Sequence, residues 1–190
     1  MNTIRLFFLL ALSTGLAYPQ DWVTNHIPDS SQGEAALPSD FLQNIEREVG
    51  KSFGAQVPQL LFQDVYAEKR DSLTSLRGKV VMVSIWNVGC KPCVVEMPIL
   101  LELQSQLSDR GFVLLTVAAD DTARQRKFFR TKELVHGGIA ASARPKDYRY
   151  PFQYLLNPAG YIVDRDGILR DFWAGPKTRE EMLKRILKYL

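Results

Sequence analysis

Cysteine is scarce in this chain. Only Cys90 and Cys93 occur among its 190 residues, both in the run WNVGCKPC at 86–93. Small exported domains that rely on disulfide staples use several bridges, and one bridge closing so short a loop constrains the unfolded chain little. A structural staple is therefore a poor explanation for the pair. Histidine is as scarce, with His26 and His136 alone and neither in a ligand motif. A nitrogen–sulfur metal site would lack donors, so no metal is expected. Charge of one sign is not in excess either: 24 Lys and Arg face 21 Asp and Glu, a net charge of +3. The basic residues are dispersed apart from the acid-containing KTREEMLKR, which excludes a nucleic-acid footprint and predicts no nucleic-acid partner. Internal repeats and low-complexity segments are lacking as well. What remains, 46% hydrophobic and 24% charged, is ordinary for a globular protein, and the length suits one domain plus an extension.

A bilayer-spanning apolar run is also missing from the first residues, MNTIRLFFLLALSTGLAYPQ. Arg5 precedes an apolar stretch from Leu6 to Leu12, and small residues follow, with Gly15 and Ala17 at the −3 and −1 positions of a cleavage site. This pattern predicts a secretory signal peptide over 1–17 and an exported protein. An uncleaved membrane anchor with the domain outside the cytoplasm is the alternative. The lack of cysteine near the cleavage site argues against a lipoprotein.

Residues 18–56 read as a linker with a short helical extension. Pro19, Pro28, Gly33 and Pro38 interrupt 18–38, after which Ser39 or Asp40 can cap a helix carrying Phe41, Leu42, Ile45 and Val49. The main domain is expected over 57–190. VPQLLFQDVY predicts an edge strand, and DSLTSLRGK a loop or turn. KVVMVSIW, a continuous β-branched run, predicts a strand buried on both faces. A helix should run from CKPC to about Ser108 and stop before Gly111. FVLLTVA predicts a second buried strand, and Asp120 or Asp121 caps the helix carrying Phe128 and Phe129. Residues 136–152 combine some strand character with a surface loop, RPKDYRY. GYIVDRDGILRDFWAG reads as a hairpin turning at DRDG. Thr178 and Glu181 form a capping-box pattern before a final helix whose apolar stripe, Met182, Leu183, Ile186, Leu187 and Leu190, is expected to face the core. The order predicts an α/β fold with a mixed central sheet flanked by helices.

The chemistry concentrates in CKPC. A thiol at a helix start meets unpaired backbone N–H groups and the positive end of the helix dipole, both of which favour the thiolate. Lys91 adds positive charge, and Pro92 suits the first turn. A three-residue offset puts Cys93 one turn inside the helix, within disulfide reach of Cys90. Cys90 is expected to be the exposed attacking thiol and Cys93 the more buried resolving one.

GKVVMVSIWNVGCKPCVVEMPIL resembles the active-site region of the thioredoxin superfamily, and more narrowly the exported TlpA/ResA-like thiol–disulfide oxidoreductases. The pattern GK-V-V-aliphatic-W-x-x-x-C-x-P-C-x-x-E-x-P is met from Gly78 through Pro98, and NPAGYIVDRDGIL is similar to the family's proline, strand, D-x-DG, strand segment. The likeness covers Val57 to Leu190, with Thr131 to Phe152 matching poorly. It implies a thioredoxin-like fold and a redox pair, Cys90 and Cys93, with no cofactor beyond their disulfide. Pro158 matches the cis-proline opposite that disulfide, and Asn157 precedes it; together they would expose backbone for strand addition by an extended substrate. Glu96 matches an acid of the ResA-like group and is a candidate to exchange protons with Cys93; the bland alternative is a solvated helix carboxylate. Thioredoxins proper carry a buried Asp where Ser84 stands. Trp86 is expected to pack beneath the redox turn, and Pro98 to kink or tighten the helix. Gly89 departs from the family, which has a larger residue there, and is expected to leave Cys90 less shielded.

The resemblance implies an enzyme that reduces disulfides in other exported proteins, including those of cytochrome c maturation, in the bacterial periplasm, with electrons from a membrane thiol donor of the DsbD/CcdA type. A disulfide oxidase or isomerase of the same fold, a copper-binding module and a non-enzymatic thioredoxin-like module are the alternatives. A peroxidase of the same broad fold would carry Thr or Ser at position 87 and Pro at position 83, where this chain has Asn87 and Val83.

Overall fold

The computed structural model describes residues 39–148, 151–152 and 156–190. The signal peptide read over 1–17, the arm over 18–38 and His26 lie outside the described residues.

The fold is built outward from β3 (Val80–Trp86), every residue of which is buried. Its VVMVSIW run is the signature of a strand covered on both faces. β3 pairs in parallel with β4 (Phe112–Ala118), from Val80 opposite Phe112 to Trp86 opposite Ala118. On its other side it pairs antiparallel with β6 (Ala159–Val163), Ile85 standing opposite Ala159. Four further strands, β1 (Leu61–Asp64), β2 (Arg70–Ser72), β5 (Ile139–Ser142) and β7 (Leu169–Ala174), complete a seven-stranded mixed sheet in the order β2-β1-β5-β4-β3-β6-β7. The predicted α/β architecture, a mixed sheet flanked by helices, is the one observed.

The edge position is one correction. The VPQLLFQDVY segment supplies β1, which pairs antiparallel with both β2 and β5. The outer strand is β2, whose residues fall partly in a segment read as a loop. Its three residues, RDS, are too short and too polar to register as a strand, and Leu61, Phe62 and Gln63 hold them there by backbone pairing. The strand character of 136–152 resolves into β5, and DRDG forms the expected hairpin turn. There the Asp164 carboxylate accepts from the Asp166 and Ile168 amides, each at 3.0 Å, and Gly167 takes φ +76°.

Among the described residues, four α-helices cover the sheet. α1 (Ser39–Gly50) lies on edge strand β7 with Ile45 and Val49 buried, and Glu46 accepts from the Ala174 amide at 3.1 Å. The short helical extension therefore joins the domain it precedes and shields an open sheet edge. α2 (Lys91–Leu107) buries Met97, Leu100, Leu101, Leu103 and Leu107, then tightens through Ser108–Arg110 into Gly111 at φ +84°. Pro98 lies on its exposed side and leaves the Val94 carbonyl without an in-helix donor. α3 (Thr122–Thr131) brings Phe128 and Phe129 against Trp86, with ring centroids 5.0 and 5.5 Å apart. α4 (Arg179–Leu187) begins in the predicted capping box, Thr178 accepting from the Glu181 amide at 3.3 Å and Glu181 from the Thr178 amide at 2.8 Å. Its stripe faces the core except at Leu187, with Leu183 and Leu190 packed against the cluster that holds Met182 and Ile186. Met182 and Ile186 are buried, whereas Leu187 is 42% exposed. A nine-residue helix at the margin of the molecule has the core on one side only.

Gly160 on β6 stands opposite Trp173 on β7, and a Cβ there would lie 2.2 Å from the buried indole. Gly160→Ala is expected to destabilise the fold by about 1–3 kcal/mol, read as a lower urea midpoint. An unchanged midpoint would show that the indole can move aside.

Candidate active site

β3 delivers the chain to the redox turn. After Trp86, the Asn87 side chain accepts from the Gly89 amide at 2.9 Å and the Asn87 carbonyl from the Cys90 amide at 3.2 Å. This folds WNVG into a tight lead-in to α2. Cys90 is the N-cap of that helix, with extended backbone at φ −78°, ψ 101°, and its Sγ accepts from the Cys93 amide at 3.2 Å. Pro92 sits in the first turn, where its missing N–H costs nothing. Cys90 and Cys93 are joined in a disulfide, their Cα atoms 5.3 Å apart.

Both cysteines are 1% exposed, so the expected exposure of Cys90 is not what the structure has. An N-cap side chain folds back over the first turn of its helix, and here the bond to Cys93 holds the sulfur inward. Gly89 does not leave it open. Solvent reaches Gly89 and Lys91 on either side, and a side chain at position 89 would point into space beside Asn87. At the redox turn, exposed Gly89 and Lys91 thus flank a buried Cys90.

Trp86 lies under this turn as expected, 1% exposed and in one apolar cluster with both cysteines. The Asn157–Pro158 peptide is cis, with Asn157 exposed and Pro158 buried. The β3–β6 register brings Pro158 level with Trp86, at the sheet end from which the redox turn springs. Ser84 is buried in mid-strand.

Glu96 is not a solvated carboxylate. It is 4% exposed, on the face of α2 that carries Cys93 one turn earlier, and its Oε1 accepts from the Lys177 amide at 3.1 Å. Burial pushes its carboxyl up to about 7, against a smaller downward pull from that hydrogen bond and the Lys177 charge. A group that titrates near neutrality beside a resolving thiol is suited to proton exchange. His136, by contrast, is half-buried away from the redox pair. Its Nε2 meets the Thr116 hydroxyl at 2.9 Å, its ring stands edge-on to Phe129, and burial pushes it down to about 4.

Two partners of the site were not foreseen. One is Lys177, whose backbone amide holds Glu96. The other is Asp120, whose Oδ2 accepts from the Val88 amide of the redox turn at 2.8 Å. The sequence offers Asp120 and Asp121 equally as caps of α3; Asp121 does the capping, accepting from the Arg124 amide at 2.7 Å. Only the parallel register that sets Ala118 beside Trp86 shows where Asp120 lands.

A central strand that hands a helix-capping dithiol to one end of a mixed sheet is the thioredoxin-fold arrangement for thiol–disulfide exchange, and this molecule is an oxidoreductase of that class. The AhpC/TSA family model matches residues 53–178, and the chain belongs to that family. It is 29% identical over 144 residues to the thioredoxin-like protein YneN of Bacillus subtilis, covering 74% of this chain and 82% of that protein. The thiol-disulfide oxidoreductase ResA of Bacillus thuringiensis is 28% identical over 131 residues, 68% of this chain and 73% of the relative. In three dimensions it is similar to a thiol:disulfide interchange protein of the thioredoxin family from Chlorobium tepidum, with a TM-score of 0.61 at 21% identity over 70% of this chain and 94% of that one. The ResA-like resemblance read from the motifs is upheld.

Proposed function

We propose that the protein is an exported disulfide reductase, acting on disulfides of other exported proteins in the periplasm, those of cytochrome c maturation among them. The observation that carries this is a CxxC pair at a helix start with a buried carboxyl, titrating near 7, one turn behind the second cysteine. Export rests on the leader-like 1–17, and periplasmic location and substrate class on the ResA-like resemblance. Among the described residues no helix is long and apolar enough to cross a membrane.

The reduced enzyme works in two displacements. Cys90 thiolate attacks a substrate disulfide, forming a mixed disulfide and releasing one substrate thiolate. Cys93 gives its proton to the Glu96 carboxylate and attacks Cys90 Sγ, releasing the second substrate thiolate. The substrate gains two electrons and the Cys90–Cys93 disulfide forms. A membrane dithiol donor of the DsbD/CcdA type restores the pair. Asn157 and Pro158 offer the backbone rim along which an extended substrate pairs.

The opposite direction, disulfide formation, has one feature in its favour: Lys91 and the α2 N-terminus stabilise thiolate, which makes a dithiol harder to oxidise. Equilibration with glutathione buffers separates the two. A potential of about −200 mV or below supports reduction, and one near −120 mV would make the protein an oxidant instead. Asn87 and Val83 supply neither the hydroxyl nor the proline of a peroxidase, so peroxide turnover is not part of the reading.

A further inference from the structure

The loop after β4 is more firmly built than a connection between a strand and a helix requires. The Asp120 carbonyl accepts two hydrogen bonds, from Gln125 Nε2 at 2.9 Å and Ser142 Oγ at 2.8 Å. Gln125 is fully buried and also reaches the Ala141 carbonyl at 3.2 Å, so α3 and β5 together grip the backbone at Asp120. The side chain so fixed is 8% exposed. One carboxylate oxygen takes the Val88 amide, and the other faces Arg124 Nε at 3.2 Å. Because Asp121 caps α3, the helix has no need of Asp120. The phenol of Tyr148 is 6% exposed with its hydroxyl unpartnered, and burial first, then the charges of Asp147 and Asp120, hold it protonated.

Only Gly89 separates Val88 from Cys90, so their Cα atoms are at most about 7 Å apart. A carboxylate bonded to the Val88 amide therefore sits close to the place where the Cys90 thiolate must form. We propose that Asp120 is a positioning residue for the redox pair: it anchors the turn through the Val88 amide, and its fixed negative charge makes the dithiol a stronger reductant. The inference deepens the functional reading above and rests on it. Asp120 opposes the thiolate-stabilising effect of Lys91 and the helix terminus, while Arg124, 62% exposed, screens it in part from the solvent side. Glu96 lies one turn after Cys93 on α2 and acts on the resolving thiol. A like charge at this range, in a medium of intermediate dielectric, shifts the dithiol–disulfide equilibrium by about tenfold, which is ~30 mV for the two-electron couple.

The test equilibrates wild type, Asp120→Asn, Asp120→Ala and Arg124→Ala with glutathione buffers and counts thiols by alkylation. Asp120→Asn keeps an acceptor for the Val88 amide and removes the charge. It is expected to move the equilibrium about tenfold toward the dithiol and to lower the pH at which Cys90 is alkylated. Arg124→Ala is expected to move the equilibrium the other way. Asp120→Ala adds slower exchange, because the Val88 amide loses its acceptor. An Asp120→Asn equilibrium within about twofold of wild type, or Arg124→Ala moving in the same direction as Asp120→Asn, would overturn the electrostatic part. Equal exchange rates in Asp120→Ala and Asp120→Asn would overturn the anchoring part. If the wild-type pair itself fails to equilibrate with glutathione, the functional reading falls and takes the inference with it.

Discussion

Cys90→Ser is expected to abolish protein disulfide reduction, by about 10³-fold or more, whereas Cys93→Ala is expected to stop the enzyme at a stable mixed disulfide on Cys90. Burial does not separate the two sulfurs, since each is 1% exposed. Position does. Cys90 occupies the N-cap, outside the helix proper, where its sulfur already accepts from the Cys93 amide and a thiolate would accept the same bond. Cys93 is inside the first turn, with the apolar cluster of Trp86 and Met97 at hand, and a charge there is disfavoured. Mass spectrometry of the protein adducted to Cys93→Ala identifies the substrate, and exported proteins with cysteine pairs are expected. Two results would sink the assignment: a mixed disulfide that accumulates on Cys93 in Cys90→Ala, or a thiolate titration in which Cys93 ionises first.

The second large effect is at Glu96, and it runs in opposite directions for stability and for catalysis. Its carboxyl titrates at about 7 when folded against a usual value of 4.5. Between those pH values the folded protein retains a proton that the unfolded chain gives up, so stability falls as pH rises through the window. Above pH 7 the full cost of a buried carboxylate is present, about 3 kcal/mol by linkage. Glu96→Gln keeps an acceptor for the Lys177 amide and removes that cost. The variant should match wild type near pH 4 and exceed it by about 1–3 kcal/mol at pH 8, in urea unfolding of the oxidised protein. The same substitution removes the acceptor for the Cys93 proton, so resolution of the mixed disulfide should slow by about 10²-fold and lose its rise near pH 7. Parallel stability curves for the two proteins would mean that Glu96 carries no proton at neutral pH, and an unaltered resolution rate would remove it from the reaction.

Much of this site was legible in one dimension because its parts are local. The strand VVMVSIW, the turn and the first two turns of α2 are contiguous, and strand burial, N-capping and the one-turn offset of the cysteines depend on neighbours in the chain. The cis Asn157–Pro158 bond was legible for another reason: the resemblance carried it, and no spacing rule would have. Element boundaries fared less evenly. β2 has no signature in the sequence because a three-residue polar strand has no periodicity of its own, and helical spacing places Leu187 in the core stripe because it marks a stripe without saying how wide the covering surface is.

The sequence by itself determined the chemistry: a dithiol at a helix start, an acid one turn behind it, and an alternation of strands and helices that admits few folds. Which way the groups face is a property of the tertiary structure. Whether Glu96 is solvated or buried depends on Lys177, which the sheet returns to α2 from 81 residues away. The inward turn of Cys90 and the choice between Asp120 and Asp121 likewise depend on what the helix and the β3–β4 register bring alongside. Solvation and charge–charge distance are set by groups remote in the chain, and those are the terms that tune a thiol.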